Sequence, residues 1–177
     1  MEGGADADRQ IKTMVMMADG KPALALLRGD HQLNLQKFLD ATGTIELRPA
    51  QPDEALAILG ANPGSLGAVG VTDETIVADE ALRGRTNMTT GANDDDWHYR
   101  GVDLERDIEV GQWADLREVS AGEACPKCGT ALEMVRCVEA GHIFKLGTLY
   151  AEKFDIKVAD HEGNQVPVVM GSYGIGI

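Results

Sequence analysis

The sequence lacks any run of apolar residues long enough to cross a membrane, and it is poor in aromatic residues. No stretch approaches the roughly 18 consecutive apolar residues of a spanning helix, and residues 1–10 (MEGGADADRQ) lack the basic-then-apolar order of a secretion signal. Aromatic residues occupy 5% of the 177 positions, while 44% are hydrophobic, which is typical of a globular chain. We therefore expect a globular cytoplasmic protein that does not contact membranes.

Cysteine and positive charge are also scarce. Three cysteines cannot form a fully paired disulfide framework, and two of them lie close together in CPKC (residues 125–128), which favours reduced thiols or a metal site. The formal net charge of −13 argues against a stand-alone nucleic-acid binder, because neutralising phosphates requires clustered lysine and arginine. Any nucleic-acid partner must therefore be held mainly by other groups.

The composition changes near Ser120. Residues 1–118 carry 22 acidic and 11 basic side chains, whereas residues 119–177 carry 7 and 5. The stretch that begins at Ser120, SAGEACPKCGTA, is rich in small and turn-forming residues. We predict one domain over residues 1–118 and a second over residues 119–177.

Turn and cap residues predict the first elements. Asp-Gly at 19–20 separates two apolar runs and indicates a β-hairpin. A helix is predicted next, with Asp30 as its N-cap and Gly43 as its end, followed by a second helix that Pro52 opens and Gly60 closes.

The later segments read mainly as strands. Four short runs with apolar or β-branched content are SLGAVGV, ETIVAD, TNMTTGA and HYRGVDL. Mixed with the hairpin and the helices, they predict an α/β or α+β domain with a mixed sheet. In the second domain we expect a helix around residues 149–154 and two antiparallel strands joined by a turn at HEGNQ.

At this point the residues carry a family resemblance. Residues 139–177, which include GHIFKLGTLYAEKFDIKVADHEGNQVPVVMGSYGIGI, resemble the part of bacterial prolyl-tRNA synthetases that leads into the third class II synthetase motif. The upstream stretches resemble the insertion domain of the same enzymes: IKTMVM, ALLRGDHQLN, NPGSLGAVG, TTGANDDDWHYRGVDLERDI and ADLREVSAGEACPKCG. Together these stretches cover about nine tenths of the chain.

The resemblance implies a fold and an activity. The insertion domain is similar to the YbaK-type aminoacyl-tRNA deacylases, and in the family it hydrolyses alanine wrongly attached to proline tRNA. The helix that usually begins this domain has no counterpart in MEGGADADRQ. The full-length enzyme ligates proline to tRNA(Pro) with ATP and Mg²⁺ and is expected to be a homodimer.

The last residues of the chain, GSYGIGI, also resemble the family. In the family the glycine run of GSYGIGI continues into an arginine that contacts ATP, so we expect this chain to be a piece of a longer enzyme, unable to aminoacylate by itself.

A glycine-rich loop is the first candidate for the editing site. In NPGSLGA, Gly64 and Gly67 let the backbone approach a ligand, and backbone N–H groups can stabilise an oxyanion. The stretch resembles the family's substrate-binding loop. The alternative is a Pro-Gly turn with no role in binding.

Three side chains match catalytic positions of the family, and each has a simpler interpretation. Lys12 matches the lysine that faces the aminoacyl end of the tRNA; otherwise it is an edge-strand lysine in water. Asp79 matches a pocket acid; otherwise it is a helix cap. His98 matches the histidine that limits the space for the amino-acid side chain; otherwise it is a surface histidine beside three aspartates.

The remaining candidates are small or polar residues expected to line the pocket: Ser65, Leu66, Thr90, Gly91, Ala92 and Asn93. No sequence motif indicates a covalent nucleophile. By resemblance, water attacks with help from a tRNA ribose hydroxyl, and editing needs no cofactor.

Two further patterns lie in the second domain. CPKC could hold zinc if Cys137 and His142 completed the set with Cys125 and Cys128, but two ligands alone do not make a structural site, so a reduced turn without metal is expected. By resemblance, Gly171, Gly174 and Gly176 line the ATP and prolyl-adenylate site of the full-length enzyme. The alternative function is a non-catalytic, zinc-dependent protein-interaction module.

Overall fold

The computed structural model describes residues 4–176; residues 1–3 and 177, at the outer ends of the two predicted domains, lie outside it. The chain forms two compact units, Met1–Ser120 and Ala121–Ile177. Within the described residues no helix is long and apolar enough to span a lipid bilayer.

The first unit combines strands with short helices. Its described strands are β1 (Ile11–Ala18), β2 (Lys21–Arg28), β3 (Leu47–Pro49), β4 (Thr75–Asp79), β5 (Met88–Gly91), β6 (His98–Val102) and β7 (Gln112–Ala114). Its described helices are α1 (Leu35–Thr42), α2 (Pro52–Leu59) and α3 (Leu104–Asp107), with 3₁₀ turns at Ala7–Arg9 and Glu80–Leu82.

The hairpin at 19–20 is confirmed. β1 and β2 pair antiparallel from Ile11↔Arg28 to Ala18↔Lys21. Asp19 and Gly20 have φ of 47° and 77°, and two consecutive positive φ values match the twist of the strands that such a tight turn joins.

The mixed sheet is also confirmed. Its strand order is β3-β1-β2-β4-β7. β1 pairs antiparallel with β2 and β3, whereas β2–β4 and β4–β7 are parallel. β5 and β6 form a separate antiparallel ribbon, which joins the start of β1 through a bridge between Gln10 and Thr89.

Each face of the sheet buries its own apolar cluster. On β2, Leu24 and Leu26 pack with residues of α2, β4 and β5 on one face, while the intervening positions pack with Phe38 of α1 on the other. This alternation follows from the two-residue period of a strand. Burial on both faces makes β2 the centre of the unit.

The helix ends follow the sequence with one correction. Asp30 does not cap α1: Asn34 does, since its side chain accepts a hydrogen bond from the Lys37 N–H at 3.1 Å. The Asp30 carboxylate instead pairs with the Arg28 guanidinium, which lowers the pKa of that carboxyl. Gly43 and Gly60 end α1 and α2 at φ of 65° and 85°, as predicted.

One predicted strand is wrong. SLGAVGV (residues 65–71) is a loop, because its backbone groups bond outside a strand ladder: the Gly67 N–H donates to the side chain of Asn93 and the Val71 N–H donates to the Ala68 carbonyl. The strands predicted in ETIVAD, TNMTTGA and HYRGVDL are confirmed as β4, β5 and β6.

The second unit is built from two separate antiparallel pairs. β8 (Gly141–Gly147) pairs with β11 (Met170–Ile175), and β9 (Lys157–Ala159) pairs with β10 (Gln165–Pro167), as predicted around the HEGNQ turn. The predicted helix is α4 (Leu149–Lys153). Among residues 121–176 Ala151 alone is buried.

Candidate functional site

A cavity of about 420 Å³ opens in the first unit where β1 begins. This volume suits a small molecule or the end of a larger one. The described residues that line it are Gly4, Ala5, Gln10, Ile11, Lys12, Thr13, Gly29, Gly64, Leu66, Thr89, Thr90, Gly91, His98 and Arg100.

The β5–β6 ribbon forms one wall of the cavity. Gly91 pairs with His98 and Thr89 pairs with Arg100, so these four residues share one face of the ribbon. Thr90 is buried and its hydroxyl donates to the Ile11 carbonyl at 3.3 Å, which fixes the ribbon against β1.

The glycine-rich loop forms the opposite wall, and the loop after β5 holds it in place. The Asn93 side chain accepts from the Gly67 N–H at 2.7 Å and donates to the Gly67 carbonyl at 3.0 Å. Asn62 donates to both carboxylate oxygens of Asp95, and the Ser65 hydroxyl accepts from the Asp96 N–H at 2.8 Å. The wall is therefore formed before any ligand arrives.

Two glycines make this contact between loops possible. A Cβ on Gly67 would lie 1.9 Å from the Gly91 carbonyl oxygen, and a Cβ on Gly91 would lie 2.2 Å from the Ser65 carbonyl. Gly67 thus serves an approach of backbone to backbone rather than the predicted approach to a ligand. Gly64 does line the cavity, at φ of 113°.

Two residues of the loop that line the cavity, Gly64 and Leu66, have backbone donors that the described residues leave unused. Within residues 4–176 the N–H groups of Gly64 and Leu66 donate no hydrogen bond. His98 Nε2 lies 3.1 Å from the Gly64 carbonyl oxygen. Because a carbonyl only accepts, this nitrogen carries a proton and anchors the ring to the loop.

Lys12 lines the cavity, but its ammonium is engaged elsewhere. It donates to the carbonyl of His31, a residue that is not among those lining the cavity. Burial lowers the pKa of Lys12, and the Asp30 carboxylate opposes this effect. Burial likewise lowers the pKa of His31, whose Nδ1 has no partner among the described residues.

Asp79 lies outside the cavity lining, contrary to its prediction as a pocket acid. It is 1% exposed, and its carboxylate accepts from the Ala81 N–H at 3.0 Å and the Leu116 N–H at 2.7 Å. The alternative interpretation, a cap, is the one found. The carboxylate ties the end of β4 to the segment after β7.

The predicted pocket-lining set divides in two. Leu66, Thr90 and Gly91 line the cavity together with Gly64, Lys12 and His98. The other four do not line the cavity but lie in the two loops that contact each other beside it: Ser65, Gly67, Ala92 and Asn93.

Among the polar lining residues, sequence reasoning missed Gln10, Thr13, Thr89 and Arg100. Arg100 lies two residues after His98 on a strand, and this spacing alone could have placed both on one face. Nothing in the sequence marked Thr13. In the structure its hydroxyl is buried and has no hydrogen-bond partner among the described residues.

The match to known families covers this site. The family model for the aminoacyl-tRNA editing domain matches residues 2–107, which include every described cavity-lining residue. The chain belongs to the aminoacyl-tRNA editing domain family. The resemblance read from the sequence is thereby confirmed, as are the fold class and the link to editing.

Curated relatives of this editing-domain chain are proline–tRNA ligases. The ligase of Anaeromyxobacter sp. (strain K) is 51% identical over 173 residues, which are 97% of this chain and 30% of the relative. That of Ligilactobacillus salivarius (strain UCC118) is 44% identical over 175 residues, 98% of this chain and 31% of the relative. The chain thus spans about 30% of the length of these relatives.

Solved structures share the fold. A candidate trans-editing enzyme for prolyl-tRNA synthetase superposes with a TM-score of 0.56 at 26% identity, over 66% of this chain and 74% of that chain. A hypothetical protein superposes with a TM-score of 0.55 at 20% identity, over 65% and 78% of the two chains. The second likeness concerns the fold alone.

Beyond the editing domain, Cys125 and Cys128 lie in a turn. The Cys125 N–H donates to the Thr130 carbonyl and the Gly129 N–H donates to the Cys125 carbonyl, both at 2.8 Å. Hydrogen bonds, first from Thr130, lower the pKa of Cys128. Across residues 4–176 no three His, Cys, Asp or Glu side chains gather to hold a metal, so Cys137 and His142 do not complete a set with this turn.

The three glycines predicted at the ATP and prolyl-adenylate site lie on or beside an exposed strand. Gly171 and Gly174 are in β11 and Gly176 follows it. A Cβ on Gly174 would lie 3.8 Å from the nearest atom, an ordinary contact, so this glycine does not form a cradle that only a ligand could fill.

Proposed function

We propose that this editing domain hydrolyses the ester between alanine and the 3′ end of proline tRNA, and leaves the prolyl ester intact. The observation that carries the proposal is a preformed cavity, inside the family-matched residues, with a size suited to a terminal nucleoside and a small side chain.

Such an activity answers a physical limit on synthesis. A site built for proline cannot strongly reject alanine, because missing methylene contacts are worth only about 1–3 kcal/mol. A second site that admits the smaller side chain and excludes the larger one removes the wrong product. The names of the curated relatives, proline–tRNA ligases, support tRNA(Pro) as the partner.

The glycine loop would stabilise the developing negative charge. As water attacks the ester carbonyl, its oxygen becomes an oxyanion that needs hydrogen-bond donors fixed in advance. The Gly64 and Leu66 N–H groups are suited to this role, because neither is used within the described chain and the loop is already held by Asn93 and Asp95.

His98 would set the size limit. Its ring is anchored to the Gly64 carbonyl and stands beside Gly91, so it narrows the space between the ribbon and the loop. A one-carbon side chain would pass, whereas a pyrrolidine ring would displace the imidazole. Attack by water, aided by a ribose hydroxyl of the tRNA, requires no covalent enzyme intermediate.

Lys12 would act through the backbone. Its ammonium binds the His31 carbonyl and thereby ties β1, at the cavity, to the segment that follows β2. Residues 119–177, in this proposal, belong to a class II core in which proline, ATP and Mg²⁺ are used by a homodimer.

Deacylation of alanyl-tRNA(Pro) and prolyl-tRNA(Pro) by the full 177-residue chain tests the proposal. We expect hydrolysis of the alanyl ester alone. His98→Ala should admit the prolyl ester and reduce the ratio of the two kcat/KM values about tenfold or more, the scale of one or two methylene contacts. His161→Ala, in an exposed turn of the second unit, is the matched control and should change neither rate.

Equal rates on both esters in the unsubstituted chain, or no hydrolysis of the alanyl ester at high protein concentration, would contradict the proposal.

A further inference from the structure

Residues 122–132 of the second unit form a small hairpin that carries two of the three cysteines at its tip. Backbone hydrogen bonds of 2.7–2.8 Å hold its two arms together: Gly122 N–H to Leu132 carbonyl, Leu132 N–H to Glu123 carbonyl, and Cys125 N–H to Thr130 carbonyl. Ala124 and Ala131 add an antiparallel bridge between the arms. The positions of Cys125 and Cys128 are therefore fixed by the backbone around them.

The hairpin brings the two thiols together. The Gly129 N–H donates to the Cys125 carbonyl and closes the tip. In a tight turn, Cα atoms three residues apart lie within about 7 Å, and a disulfide joins Cα atoms about 4–7 Å apart. The Cys128 thiol is also in hydrogen-bonding contact with the side chain of Cys125. Joining the two sulfurs therefore requires little movement of the backbone.

The two thiols differ in access and in acidity. Cys128 is exposed, whereas Cys125 is half-buried. Hydrogen bonds, chiefly from the hydroxyl and N–H of Thr130, lower the pKa of Cys128 below its ordinary value of 9.0. The thiolate is the form of cysteine that attacks a disulfide. Cys128 is therefore suited to react first with a molecule from solvent, and Cys125 to react second.

A pair of close thiols can bind a metal or exchange disulfides. A structural zinc site takes four ligands, and nowhere in residues 4–176 do three His, Cys, Asp or Glu side chains gather. This part of the chain thus provides the two thiols without the further ligands of a closed zinc site. The arrangement favours disulfide exchange.

We propose that Cys125 and Cys128 form a thiol–disulfide exchange site for small disulfides such as oxidised glutathione. The Cys128 thiolate attacks one sulfur of the incoming disulfide, whose S–S bond breaks and releases a small thiolate, which takes up a proton. Cys125, once deprotonated, attacks the Cys128 sulfur of the mixed disulfide and releases the second small thiol. Two protein thiols and one small disulfide become one protein disulfide and two small thiols.

The sequence makes this proposal easy to test, because trypsin places each cysteine on its own peptide. Cleavage after Arg117, Lys127, Arg136 and Lys145 yields peptides 118–127, 128–136 and 137–145, with Cys125, Cys128 and Cys137 respectively. The reduced full chain is incubated with oxidised glutathione, its remaining thiols are blocked, and the digest is analysed by mass spectrometry. We expect peptides 118–127 and 128–136 to be joined by a disulfide.

Single substitutions separate the two steps. Cys125→Ser should stop the reaction at the mixed disulfide, so that glutathione stays on Cys128. Cys128→Ser should take up glutathione more slowly at neutral pH, because Cys125 is less exposed. Cys137→Ser is the matched control, since it removes an exposed thiol outside the hairpin. It should form the internal disulfide as fast as the unsubstituted chain.

Three results would overturn the proposal. The first is a digest without the joined peptides, and the second is a disulfide from either hairpin cysteine to Cys137. The third is zinc that is bound through Cys125 and Cys128 in protein purified without chelators and that blocks the reaction with oxidised glutathione. Equal glutathione uptake by Cys125→Ser and Cys128→Ser would contradict the order of attack.

This site is independent of the proposed editing function, which uses the first unit. The double variant Cys125→Ser/Cys128→Ser should hydrolyse alanyl-tRNA(Pro) at the rate of the unsubstituted chain. Failure of disulfide exchange therefore leaves the editing proposal intact, and failure of editing leaves the peptide analysis unaffected.

Discussion

Two buried threonines in the cavity wall differ in whether their hydroxyls are satisfied. Thr90 donates to the Ile11 carbonyl, whereas the Thr13 hydroxyl has no partner in the described structure. A buried hydroxyl without a hydrogen bond opposes folding, because it leaves water and gains nothing in return. The hydroxyl of Thr90 therefore stabilises the folded state, whereas that of Thr13 destabilises it.

Thr13→Val should raise the free energy of unfolding by about 1 kcal/mol, because it replaces an unsatisfied hydroxyl with a methyl group of similar size. Urea unfolding followed by tryptophan fluorescence measures this change, since Trp97 and Trp113 both lie in the first unit.

The control is Thr90→Val, which removes a formed hydrogen bond and should lower the same free energy by about 1 kcal/mol. A loss of stability in Thr13→Val as large as that in Thr90→Val would show that the Thr13 hydroxyl has a partner in solution.

Among the secondary-structure elements, α2 shows an ordered helix start on an exposed surface. Glu54 accepts two hydrogen bonds from the Arg48 guanidinium, at 2.6 and 2.7 Å, and one from the Gln51 N–H at 2.8 Å. These bonds favour the charged form and hold the pKa of Glu54 at about 2, below its ordinary value of 4.5. The carboxylate therefore stabilises the helix start only while it is ionised.

Glu54→Gln should lower the stability of the first unit at neutral pH. Because the folded-state pKa is depressed, the contribution of Glu54 is fully present above about pH 4.5 and is lost as the pH falls towards 2. Urea midpoints of the two chains should differ by a constant amount above pH 4.5 and converge below it. A difference that persists unchanged at lower pH would exclude ionisation of Glu54 as its cause.

The sequence predicts an element well when the residues that determine its structure are close to it in the chain. Asp-Gly at 19–20, Pro52 and Gly60 act locally, so the hairpin and α2 were predictable. The strand predicted in SLGAVGV failed because its backbone is held by Asn93, 26 residues later, and local propensity carries no information about that contact.

The same reasoning applies to the candidate site. Gly64, Thr90 and His98 were found through a family resemblance, and the structure places them on one cavity. Asp79 matched a pocket position but serves as a cap, since only the fold shows that the Ala81 and Leu116 N–H groups point at it.

At the scale of the whole molecule the two units differ in how much they bury. The first has apolar clusters on both faces of its sheet, whereas among residues 121–176 Ala151 alone is buried. Exposed apolar side chains of the second unit include Ile143, Phe154, Val158 and Tyr173. With little apolar surface removed from water, this unit has a weak driving force for remaining folded.

Amide hydrogen exchange on the full chain should therefore be slowest in β2 and β4 and much faster in β8 and β11. Strands buried on both faces open only with the whole unit, whereas exposed pairs open locally. Both regions are measured in one sample, so each serves as the reference for the other. Equal protection in β8 and β2 would mean that the second unit is covered in solution.

The close approach of positions 67 and 91 limits how this molecule can change. Neither position can gain even a methyl group without forcing two backbones apart, and each lies in a segment that contributes residues to the same cavity. Attempts to retune the pocket for a different amino acid should accordingly vary His98, whose exposed ring lines the cavity, and leave both glycines unchanged.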